Sequence, residues 1–257
     1  MSLVRVAISG ASGRMGLALL EAAAATEGVS LGAAVDLAAA TWGGVSIGTD
    51  VASALENSDV LVDFTRPEGT LANLRSCVAA GRGMVIGTTG FTPAQLAEIG
   101  AAARKIPIVM APNMSVGINV AMKLVELAAR SLGDDYDVEV FKMHHRKKVD
   151  APSGTALKLG EVAGAARATT LDRDGVVERY GTTGERKAGT IGFSVARGGD
   201  VVGDHTVFFA GPGERIEITH RSSSRANYAQ GAMRAAKFVA GRKPGLYDMQ
   251  DVLGLRA

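Results

Sequence analysis

Short apolar runs alternate with Ala-rich helical patterns along the first hundred or so residues. Apolar strands that alternate with helices are typical of a parallel sheet covered by helices on both faces. The predicted strands are Val4 to Ser9, Val29 to Val35, Val60 to Phe64, Met84 to Ile86 and Ile106 to Met110. The predicted helices are Arg14 to Ala25, Gly69 to Ala80 and Pro93 to Ala103, with Thr92 as an N-cap and Pro67 and Pro93 at early helical positions.

After Pro112 the pattern changes, which indicates that a second structural unit begins near residues 112–116. Its later part reads as antiparallel strands joined by glycine-containing turns at 198–200 and 211–213. The predicted elements are a helix from Ser115 to Ser131, a strand from Tyr136 to Met143, a helix from Ser153, strands at Thr190 to Arg197, Val201 to Ala210 and Glu214 to Thr219, and a helix from Arg225 to Ala240.

Composition and charge exclude several classes of protein. The 257 residues are 47% hydrophobic and 21% charged, typical of a globular protein rather than a disordered or coiled-coil chain. The formal charge of +2 requires no polyanionic partner such as nucleic acid. Cys77 is the only cysteine, so an intrachain disulfide and a Cys-based zinc site are excluded. We expect a cytoplasmic protein with no signal peptide and no membrane span.

The first predicted strand runs into a glycine-rich turn that opens a helix, Gly10-Ala11-Ser12-Gly13-Arg14-Met15-Gly16. Glycines let the backbone approach a ligand closely, and free N–H groups at a helix N-terminus attract phosphate. Asp36 stands where a carboxylate accepts hydrogen bonds from an adenosine ribose. This pattern predicts a Rossmann-like dinucleotide-binding domain. A tight turn without a ligand is the alternative.

Residues near this turn also bear on the choice between NADH and NADPH. Asp36 repels a 2′-phosphate, and Leu37 follows where proteins that accept NADP often carry arginine. We therefore expect NADH to be preferred and NADPH to be accepted as the weaker alternative. Arg14 makes the preference a matter of degree, because it can reach a 2′-phosphate, brace the pyrophosphate or remain solvated.

Two further loops follow strands of the same predicted sheet. They read Gly87-Thr88-Thr89-Gly90 and Ala111-Pro112-Asn113-Met114. Open α/β sheets bind ligands at the carboxyl ends of their strands, so both loops are candidates to line a nicotinamide ribose. Taken alone, each motif is weak, because such sequences are more often plain turns than ligand contacts.

The densest group of chemically active side chains lies between Lys142 and Thr155 and includes His144, His145 and Lys148. Ser153-Gly154-Thr155 then begins a helix, where N–H groups and a hydroxyl can hold a carboxylate. His144 and Lys148 can supply protons near neutral pH once neighbours lower their pKa values. The pattern predicts an anionic substrate. A solvated basic loop with Ser153 as an N-cap is the alternative, and metal binding is disfavoured because no acidic ligand pair accompanies the histidines.

These motifs resemble those of the 4-hydroxy-tetrahydrodipicolinate (dihydrodipicolinate) reductases of the diaminopimelate route to lysine, over nearly the whole chain. The most specific combination is His144-His145 followed by Lys148 and residues 150–156. The other matching segments are residues 10–16, Asp63-Phe64-Thr65 with Pro67, 87–90, 111–117, Gly203-Asp204-His205, 214–220 and Ser224-Arg225.

The resemblance implies that hydride passes from NADH or NADPH to ring carbon C4 of a cyclic dicarboxylate, after or with loss of its 4-hydroxyl. His144 would be the general acid, and Lys148 a second proton donor and carboxylate ligand. The substrate would be held by His145, Ser153, Gly154 and Thr155. The cofactor would contact Gly10, Ala11, Ser12, Gly13, Arg14, Met15, Asp36, Gly87, Thr88, Thr89, Ala111, Pro112, Asn113 and Met114.

The resemblance also implies an architecture and an assembly. We expect an α/β chain with a dinucleotide-binding domain of parallel sheet over residues 1–114. An α+β domain with a mixed sheet, over residues 115–220, would bind substrate and form a homotetramer. The C-terminal segment 221–257 would return to the first domain.

Three residues depart from the family's usual pattern. Lys142 stands where glutamate is common, and alternation along a strand places it on the same side as His144, where a cation would lower the histidine pKa. Met114 replaces a common aromatic residue. Leu37 replaces an arginine of members that use NADPH readily.

Two other functions are compatible with part of the sequence. A different two-domain dehydrogenase, acting on an amino-acid-like or sugar substrate, keeps the glycine turn but gives no reason for His144, Lys148 and residues 153–155 together. A catalytically silent nucleotide sensor predicts NADH binding without turnover. The sequence favours the reductase.

Overall fold

The computed structural model describes residues 3–256, and its first half alternates strands and helices as the sequence predicts. The predicted bounds of two strands and two helices agree to the residue. The elements here are β1 (Val4–Ser9), α1 (Arg14–Ala25), β2 (Val29–Val35), β3 (Ala40–Trp42), β4 (Val45–Ile47), α2 (Val51–Glu56), β5 (Val60–Asp63), α3 (Pro67–Ala80), β6 (Gly83–Ile86), α4 (Pro93–Ala103) and β7 (Pro107–Met110).

The remaining elements alternate less regularly, and a 3₁₀ turn at Gly133–Asp135 interrupts them. They are α5 (Val116–Leu132), β8 (Asp137–His144), α6 (Gly154–Ala166), α7 (Leu171–Asp174), β9 (Gly175–Val176), β10 (Ile191–Arg197), β11 (Gly203–Gly211), β12 (Glu214–Ser222), α8 (Ala226–Val239), β13 (Gly245–Tyr247) and α9 (Met249–Val252).

Side-chain caps explain where two helices of functional interest begin. The Thr92 hydroxyl accepts a hydrogen bond from the Gln95 N–H, and the Gln95 side chain accepts one from the Thr92 N–H, which forms a capping box for α4. The Ser153 hydroxyl accepts a hydrogen bond from the Ala156 N–H at 3.3 Å and caps α6. The sequence predicts both caps.

The first sheet is parallel throughout and has the strand order β13-β7-β6-β5-β1-β2. Helices α1 and α8 cover one face, where Leu19 and Met233 are fully buried. Helices α2, α3 and α4 cover the other, where Leu74 and Ile99 are buried. This doubly wound arrangement is the predicted Rossmann-like fold. Sequence reasoning missed β13, which is only three residues long and pairs with β7 at the sheet edge.

The second sheet is mixed and has the order β12-β11-β8-β10-β9. Its inner face packs on α5 and α6. The prediction that the strand at 190–197 is antiparallel is wrong, because β10 runs parallel to both β8 and β9. A parallel pair needs a long crossover, and the segment with α6 between β8 and β10 supplies it. Residues 198–202 therefore form no hairpin turn, since β8 lies between β10 and β11.

The chain divides into two compact units. One ends at Val116 and resumes at Arg225, and the other is Gly117–Ser224. In the described part of the chain, no helix combines the length and the hydrophobicity needed to cross a bilayer.

Candidate active site

The turn between β1 and α1 is built for close approach to its own backbone and to a ligand. Gly10 has a φ of +73°, in the left-handed region that favours glycine. A Cβ on Gly16 would lie 2.1 Å from the Gly10 carbonyl oxygen, so only glycine fits there. Gly13 occupies the N-cap position of α1 and provides no side-chain cap, so the first N–H groups of the helix keep their capacity to bind an anion.

Asp36 lies directly beside this turn. Its Oδ2 accepts a hydrogen bond from the Ser12 N–H at 2.8 Å, and its Oδ1 accepts one from the Leu37 N–H at 2.7 Å. Burial acts to raise the pKa of Asp36, but these hydrogen bonds outweigh it and hold the carboxyl pKa below its ordinary value. The structure therefore brings an ionised carboxylate to the edge of the glycine turn, as the spacing in sequence suggests.

A cleft of about 330 Å³ opens over the glycine turn within the first unit. Four of its lining residues belong to the predicted cofactor site: Gly10, Gly13, Arg14 and Met15. Sequence reasoning did not assign Phe64, Arg225 and Tyr228, which also line it. Phe64 and Arg225 do lie in segments that carry the family resemblance, which was the available signal. The aromatic rings of Phe64 and Tyr228 and the guanidinium of Arg225 are side chains that can contact a nucleotide and its phosphates.

The loops after β5 and β6 are joined by a buried carboxylate. Asp63 is fully buried and its Oδ1 accepts hydrogen bonds from the hydroxyls of Thr65, Thr70 and Thr88 at 2.8–3.1 Å. Its Oδ2 accepts one from the Asn73 side-chain amide at 2.6 Å. Thr88 is thus held in place by the protein, whereas the neighbouring Thr89 is exposed.

The predicted residues after β7 are not equally available to a ligand. Pro112 is exposed and Asn113 is partly exposed, and the Asn113 side chain accepts a hydrogen bond from the Ser115 N–H at 2.9 Å. Ala111 and Met114 are buried in the core beneath α8, and Met114 is only 1% exposed. A Cβ on Gly231 would lie 1.8 Å from the Met114 carbonyl oxygen, so this segment packs tightly on α8. The Met114 side chain is a core residue here.

In the second unit, His144 ends β8 with its side chain on the buried face. The ring is 8% exposed and makes an edge-to-face contact with the ring of His205, at 5.1 Å between centroids. A Cβ on Gly203 would lie 2.9 Å from the Nε2 of His144, so glycine there makes room for the ring. His205 is buried and its Nε2 lies 3.2 Å from the Ser153 hydroxyl. His205 is a site residue that sequence reasoning matched to the family without assigning a role.

Cations surround His144. Lys148 forms an ion pair of 2.7 Å with the carboxylate of Asp150, and its side chain keeps 22% exposure. Lys142 is fully buried two residues before His144, and its Nζ donates to the Asp150 carbonyl oxygen at 3.1 Å. Arg197 is the register partner of His144 on β10. The structure thus places Lys142 and His144 on one face of the strand, as alternation predicts.

The pKa values of the histidines reflect this environment. Burial, then the charges of Lys142 and Lys148, lower the pKa of His144 to about 4. Burial and the neighbouring His144 and His220 lower the pKa of His205 to about 3. His144 is therefore a neutral imidazole at pH 7 in the free protein. Its surroundings lower its pKa so far that the ring cannot act as a general acid near neutral pH unless a ligand changes this environment.

The N-terminus of α6 adjoins this cluster through its cap. No acidic residue stands in the first turn of α6, and Gly154 and Thr155 are at least partly exposed. His145 follows the last residue of β8 and is half-buried. Together these groups offer cations, N–H donors and an imidazole to an anionic ligand. Within residues 3–256, no group of three or more His, Cys, Asp or Glu is arranged to hold a metal ion.

Comparisons with known proteins identify the family to which this chain is similar. Residues 4–114 match a family described as dihydrodipicolinate reductase, N-terminus, and residues 117–253 match dihydrodipicolinate reductase, C-terminus. The 4-hydroxy-tetrahydrodipicolinate reductase of Bordetella parapertussis is 58% identical over 98% of this chain and 97% of its own. The enzyme of the same name from Dechloromonas aromatica is 54% identical over the full length of both chains.

A solved structure gives the same picture at the level of the fold. The dipicolinate-bound dihydrodipicolinate reductase from Paenisporosarcina sp. TG-14 superposes with a TM-score of 0.79 and 24% identity, over 98% of this chain and 99% of that one. Both family halves, in order and without a large gap, account for nearly the whole sequence. The chain therefore belongs to the dihydrodipicolinate reductase family.

Proposed function

We propose that the protein reduces 4-hydroxy-tetrahydrodipicolinate to tetrahydrodipicolinate, consuming one NAD(P)H and one proton and releasing NAD(P)⁺ and water. The observation that carries this proposal is the full-length similarity to reductases of that name, at 53–58% identity. The reaction belongs to the diaminopimelate route to lysine. The chemistry of the two sites supports it, because one suits a dinucleotide and the other suits a dicarboxylate.

The second unit would hold the dicarboxylate. Lys148 is partly exposed and provides an ammonium, while Ser153, Gly154 and Thr155 provide a helix N-terminus. His145 lies at the end of β8, beside the same loop. The solved relative that is named as dipicolinate-bound supports a ligand of this kind. Because two carboxylates carry two negative charges, they match the excess of cations around His144.

His144 would supply the proton that the reaction consumes. Hydride addition at C4 of the conjugated imine leaves the delocalised anion of an enamine, and protonation of that anion at the adjacent ring carbon completes the reduction. A general acid within the site accelerates that proton transfer by roughly 10²–10⁴-fold. The pKa of about 4 applies to His144 without a bound anion, and a dicarboxylate next to Lys142 and Lys148 would raise it.

The first unit would hold the cofactor, which supplies the hydride when it is bound. The glycine turn suits a pyrophosphate, since the N-terminus of α1 has no side-chain cap and its first N–H groups can bind an anion. Asp36 would bind the adenosine ribose, and Thr88, Thr89 and Asn113 would line the nicotinamide side. We propose that NADH is preferred, because Asp36 is ionised and the adjacent Leu37 is 99% exposed without a positive charge.

The test is oxidation of NADH and NADPH followed by absorbance, with the labile substrate made in place from pyruvate and aspartate semialdehyde by the preceding synthase. We expect rapid oxidation that depends on the synthase, with a higher kcat/KM for NADH. No oxidation, with NADH still binding in a calorimeter, would favour a nucleotide sensor or a different dehydrogenase. A higher kcat/KM for NADPH would contradict only the assigned cofactor preference.

We also propose that the enzyme is a homotetramer that associates through the outer face of its second sheet. Phe141 lies on that face and is 36% exposed, and Phe208 is half-buried beneath the Arg215 guanidinium. Strand β12 adds an unpaired edge within the described residues. Light scattering should give a tetramer for the native protein and smaller species for Phe141→Lys. A native monomer would contradict this proposal and leave the catalytic one standing.

The enzyme would work in the cytoplasm, where NADH and NADPH are regenerated. Its single cysteine, Cys77, is buried, and burial raises the thiol pKa to about 12, which makes it unreactive. Fractionation of cells that make the native protein should place the reductase activity with the cytoplasmic markers.

A further inference from the structure

Lys142 is an exceptional side chain in this protein. It is fully buried, with no exposed surface, and yet it carries an ammonium group. A buried ammonium is costly unless a carboxylate neutralises it or several acceptors hydrogen-bond to it. Within the described residues, the only hydrogen-bond acceptor of its Nζ is the neutral carbonyl oxygen of Asp150, at 3.1 Å. The Asp150 carboxylate is paired with Lys148 instead, at 2.7 Å.

The backbone places this ammonium beside His144. Both residues belong to β8 and alternate onto its buried face, separated by one residue whose side chain points to the other face. In the register of β11 against β8, the partner of Lys142 is His205, whose ring contacts that of His144. Charged and titratable groups from four strands and one loop surround the His144 ring. They are Lys142 on β8, His145 directly after β8, Lys148 and Asp150 on the following loop, Arg197 on β10, His205 on β11 and His220 on β12.

We propose that Lys142 is a positioning residue that keeps His144 unprotonated in the free enzyme and lets it take up a proton only when the dicarboxylate binds. The inference rests on the proposed function, because it names what prepares the general acid of that reaction. Two carboxylates entering this site offset the charges of Lys142 and Lys148, and the proton that His144 gains from solvent is the one it later donates.

The electrostatics agree with this geometry. Burial is the largest cause of the lowered pKa of His144, and the charge of Lys142 is the next. The pKa of Lys142 is itself lowered, first by burial and then by Lys148, with Asp150 opposing the shift. Because the His144 pKa is depressed in the free protein, the ring is protonated only below about pH 4. Dicarboxylate binding is therefore accompanied by proton uptake at pH values between the His144 midpoints of the free and the bound protein.

The experiment is a pH titration of the histidine ring signals by NMR, with ¹³C-histidine label in the full-length protein. The chain has only four histidines, and His144→Gln assigns the signal of interest. Spectra are taken without ligand and with pyridine-2,6-dicarboxylate. The variants are Lys142→Met and Lys142→Gln, both of which remove a buried cation. Lys158→Gln is the matched control, since Lys158 is exposed on α6 and pairs with Glu161.

In the native protein and in Lys158→Gln, we expect the His144 midpoint near 4 without ligand and above about 6 with the dicarboxylate. In both Lys142 variants the midpoint without ligand should rise by about one unit, a tenfold gain in proton affinity. An unchanged midpoint in both variants would overturn the proposal. So would native behaviour in Lys142→Gln alone, because its amide can still bond the Asp150 carbonyl and the charge would then be irrelevant.

The NMR readout separates this inference from the proposed reaction. A dicarboxylate that binds and leaves the native His144 midpoint unchanged overturns the inference while the reductase assay can still succeed. Failure of the dicarboxylate to bind the native protein removes the substrate site and both proposals with it. The expected midpoints without reductase turnover would leave Lys142 in control of His144 and contradict only the assigned reaction.

Discussion

The two units handle buried charge in opposite ways. In the first, the buried Asp63 carboxylate receives hydrogen bonds from three threonine hydroxyls and an asparagine amide. In the second, the buried Lys142 ammonium donates to one neutral acceptor, the Asp150 carbonyl oxygen, while the Asp150 carboxylate forms its ion pair with Lys148. A charge satisfied by the protein stabilises a fixed structure, whereas a charge left without a counter-ion favours binding of an oppositely charged ligand. The first arrangement suits a scaffold and the second suits an anion site.

The largest expected effect comes from removing the proposed general acid, His144, in the second unit. His144→Gln should lower kcat by roughly a hundredfold or more, because glutamine cannot donate the proton that we assign to the His144 ring at the end of β8. NADH affinity measured by calorimetry should be unchanged, since the cofactor contacts proposed here lie in the first unit. Lys158→Gln is the control. Undiminished turnover would remove His144 from the mechanism.

Removal of the satisfied carboxylate should act on stability instead. Asp63→Ala leaves buried hydroxyl and amide donors without their acceptor, and we expect a loss of about 2–3 kcal/mol in the free energy of unfolding by urea. Asp50→Ala is the comparison, because Asp50 accepts a hydrogen bond from the Ala52 N–H as the N-cap of α2 and should cost only about 1 kcal/mol. Equal losses in the two variants would contradict the special role of the Asp63 network.

The cofactor preference can be sharpened at the edge of the glycine turn. Asp36→Ala should weaken NADH binding about tenfold and NADPH binding less, because only NADH has the 2′-hydroxyl that the carboxylate accepts from. Leu37→Arg should strengthen NADPH binding with little effect on NADH or on stability, since Leu37 is 99% exposed. Calorimetric titration of each variant with both cofactors is the measurement. An equal effect of Asp36→Ala on both would argue against contact with the ribose.

The smallest expected effect is at the cap of α6. Ser153→Ala removes the acceptor for the Ala156 N–H and the partner of His205, so unfolding should cost about 1 kcal/mol less. We also expect a several-fold higher KM for the dicarboxylate, with Ser153→Thr as the control that keeps the hydroxyl. If Ser153→Ala changes stability alone, the hydroxyl is only a cap and does not bind substrate.

Local patterns predicted most of the first unit because each signal depends on a few neighbouring residues. The apolar run before Gly10, the helical spacing after it, and Thr92 before Pro93 specify elements without reference to the rest of the chain. The three-residue strands β3, β4 and β13 were missed because so short a segment carries no periodicity. The predicted antiparallel pairing of β10 was wrong, because a glycine-rich turn indicates a hairpin only when the strands on either side of it are neighbours in the sheet.

The candidate site residues likewise fall into those that local sequence reveals and those that only the fold brings together. The adjacent histidines, Lys148 and the Ser153 cap could be found in the sequence, since their spacing in the chain is itself the signal. Phe64 after β5 and the pair Arg225 and Tyr228 at the start of α8 line the cleft over the glycine turn from two distant places in the chain, and no local pattern connects them. The role of His205 likewise depends on β11 pairing with β8, which brings its ring against His144.

The sequence by itself determined the alternation of strands and helices, the glycine turn with Asp36, and the kinds of side chain available for chemistry. Only the tertiary structure decided that β8 separates β10 from β11, that Met114 is a core residue, and that Lys142 is buried beside His144 without an ion pair of its own. The reason is physical: periodicity and capping arise from short-range contacts along the backbone, whereas burial and charge pairing depend on which distant strands become neighbours.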